Sequence, residues 1–360
     1  MKTIRVKLKE NPYSIFIGYN LVSKIPSQIK KLKLGNFGIV LTTPRILSLY
    51  KNLITKTFKS REYKIITVAD GEKAKSKEYL FKVISEIIKA DTWNKKVFLV
   101  CLGGGTIGDL GGFAASIYKR GIACIQVPTT LLAQIDASIG GKTAIDLKEA
   151  KNILGTFHQP KAVFIDPSFL KTLPPRQFKE GIAEAIKYGV IKKKELFNFL
   201  AKHHKGIMHQ KKDLILYLVS NCVQIKAHIV EEDEKEKRGI RTILNFGHTI
   251  AHALEAAHQY KKLSHGEAVA IGMVFASQLS ATLGKCSHQE AQKVKNLIKL
   301  YSLPTAAAFD YANLYSALCY DKKFISGKAR MVILRKIGKV EVLEGIPMIK
   351  KAVCKFGSSI

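Results

Sequence analysis

The chain has 360 residues, of which 47% are hydrophobic and 24% charged, values that fit a globular protein and exclude a disordered one. Its length favours two domains over one. Lys and Arg number 59 against 28 Asp and Glu, a net charge of +31, which raises nucleic acid, an anionic membrane surface or an acidic small substrate as partners.

The first elements are short and alternating. Ile4, Val6 and Leu8 alternate with Arg5 and Lys7, as in a half-buried strand. Asn11-Pro12 turns the chain into a second strand over Tyr13–Ile17, so an opening hairpin is expected. Apolar runs at 38–42 and 65–68 read as further strands. Between 76 and 90, apolar residues at 80, 83, 84, 87 and 88 form one helical stripe. A buried strand at 97–102 precedes a glycine-rich stretch, and strands follow at 123–127 and 163–165. Strands alternating with helices predict a Rossmann-like parallel sheet, an α/β domain over 1–170. At Leu173-Pro174-Pro175 the character changes. Helical periodicity covers segments near 178–190, 195–204, 212–231, 247–258, 266–283 and 288–300, predicting an all-α domain over 171–360. Only 331–345 returns to alternation, as a small late hairpin.

The lysine excess is spread along the whole chain, which suits compositional drift better than a polyanion site. No RRM, zinc-finger or helix-turn-helix pattern stands out, so no nucleic-acid partner is expected. Cysteines 101, 124, 222, 286, 319 and 354 have no CxxC spacing and read as free thiols of a reducing compartment. The N-terminus lacks the apolar core of a signal peptide. The weakly polar run 268–284 contains Ser277, Gln278 and Ser280, which suits a buried helix better than a membrane span. The expectation is a cytoplasmic protein with no membrane partner.

Three constellations suit chemistry. The first is GGGTIGDLGGF at 103–113, after a strand and opening a helix. Glycines admit a pyrophosphate to the backbone, and the helix N-terminus favours its charge. The spacing is not GxGxxG, so the generic dinucleotide motif is only approximate. Glu72 and Lys75 follow another strand end. The second gathers Arg120, Asp136, Lys142, Lys151 and Asn152 in apolar, glycine-rich context, as in a lined cleft. Gly140-Gly141-Lys142 ends a flexible turn in a cation suited to an anionic group. The third is metal-like. His248 and His252 share a helix face at i, i+4, with His265 in SHGE and Glu184 in AEAIKYG. Two His and one carboxylate with an open position is a catalytic zinc pattern, although a chance HxxxH has the same spacing. His203, His204 and His209 lie in a Lys-rich stretch, where a surface role is the default.

Together these segments resemble the 3-dehydroquinate synthase family of sugar phosphate cyclases. The resemblance runs from the Tyr13 strand to about Lys336. Its specific parts are DGE at 70, GGGTIGDLGGFAA at 103, RGIACIQVPTTLLAQIDASIGGKTAID at 120, KNILGTFHQP at 151, FLKTLP at 169, EGIAEAIKYG at 180, RTILNFGHTIAHALE at 241 and HGEAVAIGM at 265. It implies an NAD-binding α/β domain, a helical domain, an active site between them and a homodimer. It implies Zn2+, or Co2+, on Glu184, His248 and His265. It implies NAD contacts at Glu72, Lys75, Gly104, Gly105, Thr106, Asp109, Thr129, Thr130, Lys151, Phe169 and Thr172. Substrate contacts and catalysis fall on Arg120, Asp136, Lys142, Asn152, Lys187, Lys226, Arg241, Asn245, His252 and a lysine of Asp321-Lys322-Lys323.

The implied substrate is a small anionic sugar-acid phosphate, 3-deoxy-D-arabino-heptulosonate 7-phosphate. It would be oxidised transiently, lose phosphate, be reduced again and close by an aldol step. Three positions depart from the family pattern. Thr43 stands where Asp contacts the adenosine ribose. Glu236 lies five residues before Arg241, where the family has a Glu four before. Ala251 replaces a Gly in GHTIGH. Three rivals stay open: a cyclase making valiolone- or inosose-type products, an iron-dependent alcohol dehydrogenase with net redox, and a basic nucleic-acid binder.

Overall fold

The opening alternation folds as the expected antiparallel hairpin, β1 (Lys2–Val6) on β2 (Tyr13–Ile17), with Ile4 opposite Ile15. This computed structural model describes residues 1–147, 150–258, 262–308, 314, 324–325 and 328–346. The chain divides into two compact units. One comprises Met1–Pro174 with Cys222–Lys235, the other Pro175–Asn221 with Glu236–Ile360.

The first unit continues with α1 (Ile25–Leu32), β3 (Phe37–Thr42), α2 (Pro44–Leu49), α3 (Lys51–Thr57), β4 (Tyr63–Thr67), α4 (Lys77–Ala90), β5 (Val97–Gly103), α5 (Gly105–Ile117), β6 (Cys124–Pro128), β7 (Lys142–Ile145), β8 (Leu154–Phe157) and β9 (Ala162–Ile165). Seven strands form one sheet in the order β1-β2-β9-β6-β5-β3-β4. Every pairing but β1 with β2 is parallel. Burial on both faces explains why β3 and β5 read as unbroken apolar runs. Successive side chains of β5 point to opposite faces. Leu99 and Cys101 pack with Leu80, Val83 and Ile87 of α4 and Leu110 of α5. Phe98, Val100 and Leu102 pack with Ile25 and Ile29 of α1 and Ile54 of α3. Ser76 starts α4, its hydroxyl accepting from Tyr79 N at 3.4 Å.

The glycines of α5 have two uses. Gly111 and Gly112 let the helix lie against the sheet. A Cβ on Gly111 would collide with Cys101 Sγ, and one on Gly112 with Thr143 Cγ2. A Cβ on Gly108 would stand 2.7 Å from Gln126 Oε1. Close packing therefore requires four of the six glycines, Gly103 against Ile107 included, without reference to any ligand. Gly104 and Gly105 are left for the turn itself.

The second unit holds α6 (Pro175–Ile191), α7 (Lys194–Lys202), α8 (His204–Met208), the start of α9 (Lys212–Glu232), then α10 (His248–Ala257), α11 (His265–Thr282) and α12 (His288–Leu300). All six helical segments read from periodicity are present. Pro175 opens α6, where its missing N–H costs nothing. Ser264 starts α11 with a capping box completed by Glu267. The unit also carries an antiparallel sheet, β10 (Phe324–Ile325), β11 (Lys328–Lys336) and β12 (Lys339–Ile346), so it is helical rather than all-α. Its core joins Ile250 and Leu254 of α10, Ile271 and Phe275 of α11, and Met331 and Ile333 of β11. Among the described residues one helix, α9, is long and apolar enough to cross a membrane by length and composition, and 67% of its most apolar window is buried.

Candidate functional site

In the first unit the strand ends supply a polar cluster around one buried ammonium. Lys75 follows the short turn Glu72–Ala74 beyond β4 and is 4% exposed. Its Nζ donates to Asp109 Oδ2 at 2.8 Å and to Asn152 Oδ1, with Glu72 Oε1 at 3.8 Å and Asp146 Oδ1 at 4.0 Å. Asp109 projects from the first turns of α5. Asn152 is held at φ 53°, a left-handed conformation Asn tolerates, and its N–H donates to Asp146 Oδ1 at 2.7 Å. Lys151 Nζ lies 3.9 Å from Glu72. Thr106 Oγ1 donates to Glu72 Oε2 at 3.3 Å.

One buried cation among three carboxylates sets the electrostatics. Burial pushes Asp109 up to about 6, with the charges of Glu72 and Asp146 adding to it and Lys75 opposing. Burial alone would lower Lys75, but Asp109, Glu72 and Asp146 outweigh it and raise its pKa. The pair shifts in the same sense for different reasons, burial for Asp109 and the surrounding acids for Lys75.

Beside this cluster lies the turn into α5. Gly104 begins the helix in extended conformation with no side-chain cap. Thr129 N donates to Gly103 O at 2.9 Å, and Thr130 Cγ2 would stand 3.2 Å from a Cβ on Gly104. A Cβ on Gly105 would meet Ala137 at 3.3 Å. The turn is thus built for close approach, and uncapped N–H groups at a helix start suit an anion. Phe169 and Thr172 gather elsewhere in this unit, on Tyr50. Their partner accepts the Phe169 ring edge-on at 4.8 Å and holds Thr172 Oγ1 at 2.6 Å. Thr43 caps α2, its hydroxyl accepting from Ile46 N at 3.3 Å.

Asp136 sits in a π-helical turn, Ala133–Ala137, a local distortion that often marks functional positions. It accepts from Lys226 Nζ of α9 at 2.6 Å. Lys142 is exposed at the start of β7, so the GGK turn leads into a hairpin pairing Lys142 with Phe157. Arg120 is exposed and left-handed at φ 61°.

In the second unit the helices bring Glu184, His248 and His265 together, one ligand atom from each lying within 4.8 Å of the others. Glu184 is buried mid-helix in α6, while the histidines stand first in α10 and α11. Glu184 Oε1 is 3.4 Å from His248 Nε2 and 3.8 Å from His265 Nε2. Lys187, one turn on in α6 and 2% exposed, pairs with Glu184 Oε2. Burial, then the Lys187 charge, lowers the pKa of His248. Burial also acts to lower His265, but Glu255 and Glu184 reverse it and the pKa is raised. Two imidazoles and a carboxylate at this separation are the donor set of an open tetrahedral zinc site. His252 stands outside this trio, its ring 5.7 Å from His248 and 6.4 Å from His265.

Arg241 is 2% exposed, and its Nε lies 3.3 Å from Glu236 Oε1. Glu236 has φ 55°, a left-handed conformation. Asn245 ends the same short helical segment, Ile240–Asn245. Asp321, Lys322 and Lys323 lie outside the described residues. Two neighbours of these clusters were not singled out from the sequence. Asp146 braces Lys75 and Asn152, and Glu255 faces His265 Nδ1 at 3.4 Å. Asp146 follows an apolar strand like any turn acid. Glu255 shows only as the i+7 partner of His248, a spacing equally suited to packing.

Models of the 3-dehydroquinate synthase N-terminal and C-terminal regions match residues 65–180 and 181–324. A 3-dehydroquinate synthase of Dictyoglomus turgidum is 41% identical over 346 residues, 96% of this chain and 95% of the relative. The structure of ValA, a 2-epi-5-epi-valiolone synthase of Streptomyces hygroscopicus subsp. jinggangensis with NAD+ and Zn2+ bound, is similar with TM-score 0.87 and 27% identity, covering 98% and 99% of the two chains. A 2-deoxy-scyllo-inosose synthase structure, complexed with carbaglucose-6-phosphate, NAD+ and Co2+, shares the fold with TM-score 0.82 and 23% identity, covering 99% and 100%.

Proposed function

The chain belongs to the 3-dehydroquinate synthase family, and from that premise we propose that it converts 3-deoxy-D-arabino-heptulosonate 7-phosphate to 3-dehydroquinate and phosphate. The observation that carries the reading is the Glu184, His248 and His265 group, a catalytic metal donor set within that family likeness. These three residues hold a divalent ion, Zn2+ or Co2+. Glu72, Lys75, Asp109, Lys151, Thr106, Thr129, Thr130, Phe169, Thr172 and the Gly104-Gly105 turn hold NAD. When bound, NAD supplies a reversible hydride acceptor and the ion polarises the hydroxyl being oxidised.

The chain's own residues bind, orient and move protons. Lys142, Asn152 and Lys226 take the carboxylate and phosphate of the substrate, and the basic surface favours anion capture. Arg241, whose Nε lies beside Glu236, binds an anionic oxygen pair of the substrate. His252 takes the proton of the reacting hydroxyl. Asp136, Arg120, Lys187 and Asn245 complete the polar lining. The departing phosphate serves as its own base for the neighbouring carbon acid, which accounts for a site without a further carboxylate assigned to that step. We place the enzyme in the cytoplasm as a homodimer, with neither nucleic acid nor membrane as partner.

The deciding assay measures phosphate release from the heptulosonate phosphate, with and without NAD and a chelator. Release should need both NAD and metal, with turnover far above the NAD supplied and no net absorbance at 340 nm. NADH accumulating in step with product would support the dehydrogenase rival instead. Equal turnover of a heptulose phosphate lacking the carboxylate would favour a valiolone-type cyclase.

A further inference from the structure

We infer that Glu255 is a positioning residue that fixes the ring of His265 so that Nε2 faces Glu184. This rests on the metal reading of Glu184, His248 and His265 above. Glu255 lies two turns along α10 from His248 and is 8% exposed. Its Oε1 sits 3.4 Å from His265 Nδ1, on the opposite side of the imidazole from Glu184. An ionised carboxylate can only accept a hydrogen bond, so the proton must reside on Nδ1. The lone pair is then left on Nε2, the atom 3.8 Å from Glu184 Oε1.

His248 is arranged the same way by a different acceptor. Its Nδ1 faces the backbone carbonyl of Phe246 at 3.2 Å, and its Nε2 faces Glu184 Oε1 at 3.4 Å. A carbonyl likewise only accepts. Both imidazoles therefore offer Nε2 to one point, one through main chain and one through a side chain. The geometry also divides the labour of α10. The helix supplies a ligand at its first residue and the brace for the ligand of α11 at its eighth. His248 and His265 both stand first in their helices, but the acceptor facing Nδ1 is the preceding main chain for His248 and Glu255 of the neighbouring helix for His265. Outer partners that orient a ligand imidazole are worth about 10- to 100-fold in metal affinity.

The test is a Zn2+ titration of the metal-stripped full-length protein in competition with a chromophoric chelator, together with melting temperatures of the metal-free forms. The unaltered protein should bind one Zn2+ per chain. Glu255→Ala should bind it about 10- to 100-fold more weakly. Glu255→Gln keeps an amide oxygen that can accept from Nδ1, so it should fall between the two. Nitrogen-15 spectra of the histidines should show His265 in the Nδ1–H form in the unaltered protein and a tautomer mixture in Glu255→Ala. Unchanged Zn2+ affinity in Glu255→Ala would overturn the positioning role while leaving the metal site intact. So would equal losses in the Ala and Gln variants that track equal falls in melting temperature, the mark of a packing role. Failure of the unaltered protein to bind Zn2+ would instead overturn the metal reading itself.

Discussion

The Lys75 cluster and the Glu184 cluster answer opposite charge problems on opposite kinds of scaffold. Around Lys75, three carboxylates share one buried ammonium, and the supports are strand ends, turns and left-handed Asn152. Around Glu184, two imidazoles and an ammonium face one carboxylate, and the supports are three helices. Burial first, and then the neighbouring acids, raise Asp109 to about 6. Burial first, and then the Lys187 charge, lower the pKa of His248. Loops suit the proposed role of this cluster, admitting a large dinucleotide by backbone approach. Helices suit three donors that must converge to within a few ångströms.

The comparison breaks most visibly if the helical cluster holds no metal. His265→Ala should abolish stoichiometric zinc, read by elemental analysis, and lower turnover below detection. Circular dichroism should change little, since His265 sits partly exposed at a helix start. Unchanged metal content in this variant would remove His265 from the ligand set.

The next test strikes the loop cluster at its buried cation. Lys75→Met leaves three carboxylates facing one another, and stripping one partner from a buried pair costs about 3–5 kcal/mol. Denaturant unfolding should register that loss, and NAD affinity should fall with it. A melting curve matching the unaltered protein would mean that solvent, not Lys75, balances those acids.

Lys142 tests whether an exposed cation in the same unit belongs to the site. If it meets the substrate's anionic group, Lys142→Ala should lose about 2–4 kcal/mol of transition-state binding, roughly 30- to 1000-fold in kcat/KM. Stability should not move, because the side chain is exposed in the free protein. Near-normal kcat/KM at low substrate would leave Lys142 as surface.

The smallest effect is a pH dependence that sharpens the charge argument. The folded pKa of Asp109, about 6, lies above its ordinary 3.8. Its stability contribution is therefore fullest below pH 3.8 and is lost as pH rises through 6. Asp109→Asn removes the buried charge, so near neutral pH the variant should be more stable by up to ~3 kcal/mol. The gain should disappear near pH 4, while NAD affinity falls at all pH values. A gain that persists in acid would point to packing in place of charge.

Local pattern determined the elements. The buried, largely apolar runs of β3, β5 and β6 and the period-3.6 stripes of α4, α6, α7 and α9 to α12 follow from which faces must be buried, and the change near Pro174 is legible because a fully buried parallel sheet and a helical layer need different spacings. The β7–β8 hairpin escaped because β8 is wholly exposed and carries no apolar alternation. Motif resemblance named the residues of both clusters but not their partners. Tertiary structure alone decided that Gly108, Gly111 and Gly112 serve sheet packing, while the trio of Glu184, His248 and His265 that the resemblance implied is brought together with His252 outside it. It also decided that Asp146 and Glu255 stand behind the residues singled out by sequence. Helical spacing reports which side chains share a face, but convergence depends on how α6, α10 and α11 pack, and a bracing carboxylate leaves no periodic mark because its partner lies on another element.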